Sequence, residues 1–492
     1  MKKISYLLSV YLVFSFTITI ISCTKNDDVI VPQNIEIQDF VWKGMNSWYN
    51  WQSSVSNLAD TKGDNINDYF SYLNNYATPE SLFESLLYNP GQTDRFSWFV
   101  DDYIEQNKAF QGITTSFGFR LRGVFLEHNS DAILYVRYVA PNSPASDAGI
   151  KRGDIIRGID GTTLSQNNYN SEVDKFSNET ITLTFVSENA GVFTTIEDKT
   201  ITKTQLSEDP VYFKTVFNDI NGKKVGYLVY NSFRSSYNDE LNAAFSYFNN
   251  EGIDELILDL RLNSGGSVLT SAYLASMIYN NANNDIFAEL KFNDKHSNEN
   301  GYYYFDNTLD VYDANGDKIG EEAINRLTTI NQLYVLTSSS TASASEMVIN
   351  GLKPFIPVKV IGTTTSGKNV GSITLYDSPS SDYTNINSAN PDHLNAMQPI
   401  VFQIYNKTGQ SDYIHGFTPD IEVVEDSFWN TILPFGDENE VVLKAALDNI
   451  KGLTGKSVST AKYISSKSFN VTELEPKFEK EMYIDPSFFN NK

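Results

Sequence analysis

Cysteine is almost missing from this chain: Cys23 is the only one in 492 residues. A single thiol excludes an internal disulfide, and its place near the start excludes a cysteine nucleophile or cysteine-built metal site in the body of the protein. Histidine is scarce too. The four present, His128, His296, His393 and His415, include no His-Glu-x-x-His pair, which argues against a zinc peptidase. No Gly-x-Ser-x-Gly elbow accompanies them, so a Ser-His-Asp triad is not expected. Positive charge is in deficit: 37 Lys and Arg against 61 Asp and Glu leave a net charge of −24. The acids are scattered, and such a surface repels a phosphate backbone, so no nucleic-acid partner is expected. No cofactor or metal motif stands out. The acid-rich stretch Asp60–Asp68 lacks the regular ligand positions and terminal Glu of a calcium loop and reads as a turn. Asp313–Asp317 reads as a hairpin turn beside a strand around Tyr302–Tyr304.

What is present is apolar enough for real cores, with 41% hydrophobic and 13% aromatic residues, and long enough for several domains. Lys2 and Lys3 precede an apolar run from Leu7 to Ile21, short for a membrane span but of signal-peptide length. The run ends in Ile20-Ile21-Ser22-Cys23, which resembles a bacterial lipobox. That resemblance implies a signal peptide over 1–22, lipidation of Cys23, and a polar tether over 23–34. The expected location is the bacterial cell envelope, anchored by lipid, at the outer membrane on its periplasmic face or at the cell surface.

Residues 35–112 carry aromatic and leucine stripes at helical spacing, opened by Phe40, Trp42, Trp48, Tyr49 and Trp51; a small helical domain is predicted. Residues 113–208 turn to alternating strands. The run Ser143-Pro144-Ala145 followed by Ala148-Gly149-Ile150-Lys151-Arg152-Gly153-Asp154 resembles a PDZ domain. By that resemblance Phe117-Gly118-Phe119 is its carboxylate-binding loop, where a peptide C-terminus docks as an added strand; a module that only gates is the competing reading. From 209 to 455 strands and helices alternate. Lys224–Tyr230 reads as a strand, and Glu255–Leu260, Leu333–Leu336 and Val358–Ile361 are short apolar runs of the kind buried on both faces. An α/β layer architecture is therefore expected, closed by a helix over Val441–Ile450. The tail, 456–492, is polar and unassigned.

Three segments of this core carry chemistry. Asp259-Leu260-Arg261-Leu262-Asn263-Ser264-Gly265-Gly266 follows a buried strand, and its paired glycines present backbone N–H groups as an oxyanion hole needs. Thr341-Ala342-Ser343-Ala344-Ser345-Glu346 opens a helix, where orphan N–H groups and the helix dipole favour developing negative charge; Thr341 or Ser345 could equally cap that helix. Gly367-Lys368 sits in a glycine-rich loop past the next strand. Burial lowers a lysine pKa from ~10.4 by up to ~3–5 units, enough to make it a base near neutrality.

In this order the segments resemble the C-terminal processing (tail-specific) peptidases, over roughly residues 35–450. The resemblance implies an α/β peptidase core of crotonase/ClpP-like βαβ layers, an inserted-style PDZ β-domain and a small helical N-terminal domain. It implies a serine endopeptidase with no cofactor, Ser343 as nucleophile and Lys368 as general base. The oxyanion donors are then the N–H of Ala344 and of Gly265 or Gly266. Its partners are protein or peptide substrates, recruited by their C-terminal tails. His415–Asp420 matches the family's Gly-x-x-Pro-Asp strand, and Phe435-Gly436-Asp437 its turn before the last helix. One position departs. Many members carry Gln four residues after the lysine to orient it, and here that position is Ser372. A non-catalytic peptide- or ligand-binding lipoprotein on the same scaffold is the alternative this departure leaves open.

Overall fold

A computed structural model describes residues 31–126, 130–281, 284–313, 316–453, 467–471, 474 and 481–484. The predicted leader, Cys23 and His128 lie outside the described residues. No described helix is long and apolar enough to cross a membrane.

The core is a six-stranded sheet. Lys223–Tyr230, Glu255–Asp259, Leu333–Thr337, Val358–Gly362 and Ile421–Glu422 run parallel in that spatial order, and Val211–Ile220 closes one edge antiparallel. The first is the strand, and the next three the apolar runs, read from the sequence. They are continuous rather than alternating because helices cover both faces. Asn238–Glu251, Val268–Ile278 and Ala344–Leu352 pack on one side with Leu256, Leu258, Leu333 and Val335. Val441–Ile450 packs on the other with Ile257, Tyr334 and Ile361.

A second six-stranded sheet runs Gly266–Ser267, Met482–Tyr483, Val370–Ser372, Ile400–Asn406, Ile286–Phe292 and Gly301–Tyr304. The hairpin over Asp313–Asp317 joins Thr308–Tyr312 to Lys318–Ala323. The expectation that it flanked Tyr302–Tyr304 was therefore misplaced: that strand pairs with Ile286–Phe292 instead.

The PDZ sheet is built on Phe119–Phe125, Ala132–Val139, Ile155–Ile159, Thr180–Asn189 and Val192–Thr202. Its own core, with Phe117, Phe119, Leu134, Ile156 and Phe176, is separate from that of the peptidase layers. Glu36–Trp48, Ile66–Leu73 and Pro79–Ser85 form the helical N-terminal region, which shares the large core through Phe40, Trp48 and Leu82.

A buried ionic knot ties the PDZ sheet to the core. Arg261, only 2% exposed, binds Asp259 at 2.7 Å, Glu425 at 2.8 Å and Glu440 at 2.9 Å. From the PDZ side Arg152 also pairs with Glu425, and Arg137 reaches it at 3.6 Å. Arg152 further donates to the Leu433 carbonyl at 2.9 Å. Burial pushes the Glu425 carboxyl up, but Arg152, Arg261 and Arg137 outweigh it and hold the group far below the usual carboxylate range. Losing one partner from such a buried cluster costs about 3–5 kcal/mol. Glu425→Gln is therefore expected to lower Tm at pH 7. Since the folded pKa is depressed, this stabilisation is complete above the ordinary glutamate pKa of ~4.3 and fades as pH falls below it. Thermal melts of both proteins should converge in acid; a gap independent of pH would refute the assignment.

Candidate active site

The turn from Leu333–Thr337 into the helix Ala344–Leu352 is held by its own hydroxyls. Thr341 Oγ1 donates to the Leu260 carbonyl at 2.7 Å, and Ser345 Oγ donates to the Asn263 carbonyl at 3.1 Å. Both hydroxyls serve the backbone. Ser343 between them adopts φ 64° and ψ −119°, a strained conformation for a residue with a Cβ. Its hydroxyl donates to the backbone carbonyl of Glu481.

Glu346 keeps this turn in place, and the sequence reading overlooked it. Fully buried, its carboxylate accepts from the Ser343 N–H at 2.9 Å and from the Gly367 and Lys368 N–H groups at 2.7 Å each. The Thr365 hydroxyl donates to it as well. Burial pushes its pKa up, and these donors offset that only in part. The Ser-x-x-Glu spacing of a capping box was the available signal. Here the box extends across space and fixes the lysine loop to the serine turn.

Lys368 is fully buried. Its Nζ lies 5.0 Å from the Phe96 ring centre and 6.0 Å from that of Trp98, so the helical N-terminal region roofs it with aromatic faces. Arg95 clamps the same loop by donating to the carbonyls of Gly367 at 2.5 Å and Ile414 at 3.1 Å. These three contacts link residues far apart in sequence, and nothing local marks them.

The two glycines separate cleanly. The Gly265 N–H donates to the Asn263 side-chain oxygen at 2.9 Å, so it is already spent and does not serve as the oxyanion donor considered for it. The Gly266 N–H donates to the Glu481 carbonyl at 2.9 Å, the same oxygen that Ser343 reaches. Gly265 fills a different need: a Cβ there would lie 2.6 Å from the Ser343 Cβ. Ala344 is the first residue of its helix, where N–H groups lack helical partners.

Ser372 donates to the Met482 carbonyl at 3.2 Å and accepts from Gln398 at 3.0 Å. Gln398 accepts in turn from Thr374 and Gln106. A glutamine thus stands beside position 372, but it comes from the neighbouring strand Ala396–Gln398.

In the PDZ loop Phe117 and Phe119 are buried, with rings 5.8 Å apart. Gly118 has φ 81°, and a Cβ on it would strike Ser143 at 2.1 Å. Both phenylalanines also line a cavity of about 600 Å³ that reaches Ser232 and Arg234 of the core. No triad competes. His296 meets Ser47 and Asp382 through one ring nitrogen, Nε2, whereas a triad needs the carboxylate on the other. Among the described residues no His, Cys, Asp or Glu cluster could hold a metal.

The layered core is thus a crotonase/ClpP-like fold bearing a PDZ domain and a helical N-terminal domain. Sequence comparison finds matching families. Residues 224–423 match peptidase family S41, residues 36–98 the peptidase S41 N-terminal domain and residues 135–172 a PDZ domain. Over these segments the chain is similar to peptidase family S41. It is 26% identical over 271 residues to a carboxyl-terminal-processing protease of Picosynechococcus, covering 54% of this chain and 58% of that protein. With the carboxy-terminal processing protease CtpA of Bacillus subtilis it shares 25% over 325 residues, covering 64% of this chain and 62% of that one. The chain thus spans about three fifths of the length of these curated relatives. A solved Bacteroides fragilis chain, described as a candidate S41 protease, superposes with a TM-score of 0.65 at 27% identity, over 85% of this chain and 98% of that one.

The site's construction sets two expected outcomes. Removing Glu346 orphans several buried donors at roughly 1–3 kcal/mol each, so Glu346→Ala should cost at least about 3 kcal/mol in urea unfolding. Ser343→Gly should be more stable than Ser343→Ala by about 1 kcal/mol, because only glycine relaxes at that φ. Equal stabilities would remove the claim of strain.

Proposed function

We propose that the chain is a serine endopeptidase acting through Ser343 and Lys368. One observation carries this reading: a peptide carbonyl, that of Glu481, lies against both the Ser343 hydroxyl and the Gly266 N–H. A peptide carbonyl oxygen held by a backbone N–H beside the serine is what an oxyanion site provides, and the serine hydroxyl stands next to that carbonyl. In the proposed reaction Ser343 Oγ adds to the carbonyl carbon while its proton passes to neutral Lys368. The oxyanion rests on the Gly266 N–H and on the Ala344 N–H at the helix start. Lys368 then protonates the leaving amine, and water hydrolyses the acyl-enzyme.

Lys368 is completely buried beneath the Phe96 and Trp98 rings, which shields it from bulk water. The PDZ loop lines the cavity that leads to Arg234, which supports recruitment of substrate C-termini. Ser372, held by Gln398, is assigned to positioning at the substrate strand. The Ile20-Ile21-Ser22-Cys23 run supports a lipid anchor at Cys23, which puts the enzyme in the bacterial envelope. A Cys23→Ser chain that stays in the membrane fraction would refute that anchor.

Wild type should cut casein or a peptide with an apolar C-terminus, and Ser343→Ala and Lys368→Ala should each lose roughly 10⁴-fold or more in kcat. Equal cleavage by wild type and Ser343→Ala would place the activity elsewhere. A wild type that binds such a peptide without cutting it would favour the non-catalytic alternative.

A further inference from the structure

The carbonyl in the candidate oxyanion site belongs to the chain itself. Met482–Tyr483 lies as a strand between Gly266–Ser267 and Val370–Ser372, parallel to both. Remove it, and a slot one strand wide remains beside Ser343. The tail fills this slot thoroughly. Met482 is fully buried, and Tyr483 stacks on Phe110 at 4.3 Å. The Glu481 side chain, 4% exposed, pairs with the partly buried Arg234 at 2.8 Å. Burial pushes this carboxyl up, while Arg234 and then Lys368 pull it down.

An earlier part of the same tail occupies the PDZ sheet. Ser468–Asn470 pairs antiparallel with Phe119–Phe125, the strand that leaves the Phe117-Gly118-Phe119 loop. Phe469 stacks on Phe125 at 4.6 Å and covers Gly123, where a Cβ would lie 2.1 Å from its ring. Leu474 lines the cavity with Phe117 and Phe119. This is how an extended peptide augments a sheet edge. One segment thus engages both the peptide-binding edge and the serine.

We propose that this tail is bound as a substrate in cis and that Ser343 cleaves the Glu481–Met482 bond, with Arg234 selecting the acidic residue before it. The proposal rests on the serine-peptidase reading above. Ser343 Oγ bonds to the Glu481 carbonyl carbon, its proton moving to Lys368. The C–N bond to Met482 breaks, and Lys368 returns the proton to the Met482 nitrogen. Water then releases the Glu481 carboxylate and restores Ser343. The peptide beginning at Met482 leaves, and the slot opens to other chains.

Intact-mass analysis of the purified full chain tests this beside the casein assay. Wild type should end at Glu481, and Ser343→Ala should keep Met482 and the residues beyond it. Glu481→Lys, which sets a second cation against Arg234, should slow the loss at least tenfold. A tagged Ser343→Ala chain mixed with wild type should stay intact. If wild type cuts casein yet retains its tail, the self-cleavage is wrong and the peptidase reading stands; if it cuts neither, both fall. Tail loss from Ser343→Ala alone, or from the tagged chain in the mixture, would overturn cleavage in cis. Loss from Glu481→Lys at the wild-type rate would remove the role of Arg234.

Discussion

Everything at the candidate site hangs on one buried carboxylate. Glu346 collects the N–H groups of Ser343, Gly367 and Lys368 and the hydroxyl of Thr365. A charge with no exposed surface is tolerable only when its lone pairs are met by donors. Those donors come from two segments that the parallel sheet brings side by side, the loops after Leu333–Thr337 and Val358–Gly362. The serine and the lysine are thus positioned by a third group that belongs to neither and faces no substrate.

The same logic recurs at larger scale under the PDZ sheet. Arg261, Glu425, Glu440 and Arg152 pair with one another, with Arg137 alongside, where apolar side chains would have packed with less demand on geometry. A cluster of this kind has one good arrangement and many poor ones. It therefore sets the orientation of the PDZ edge, and with it the cavity running from Phe117 and Phe119 to Arg234.

The parallel core was legible because strands buried on both faces write themselves as apolar runs, and three such runs became three adjacent strands. Ser343 and Lys368 were legible as residue types at turns after those strands. Paired glycines were legible as a need for close approach, but not which one turns its N–H to the Glu481 carbonyl; that depended on where the Asn263 side chain turned. Phe96, Trp98, Arg95 and Gln398 left no local mark, since each reaches the site from a distant element. The polar tail was unassigned for a related reason. Its strands at 468–470 and 482–483 have no amphipathic period to display, because they are two or three residues long and each pairs with strands made elsewhere, the first at a sheet edge and the second between two strands.

The strained turn at Ser343 has a consequence for the life of the chain before it is fully folded. A backbone at φ 64° does not persist in a non-glycine residue unless its surroundings hold it there. The surroundings here include the loop around Lys368, which is synthesised after the serine, and Asn263 from an earlier strand end. Until all three segments meet, the serine is an ordinary hydroxyl on a relaxed loop. On the proposed reading, a nascent chain therefore carries no armed centre that could damage its neighbours, and loss of reactivity should precede global unfolding whenever that junction loosens.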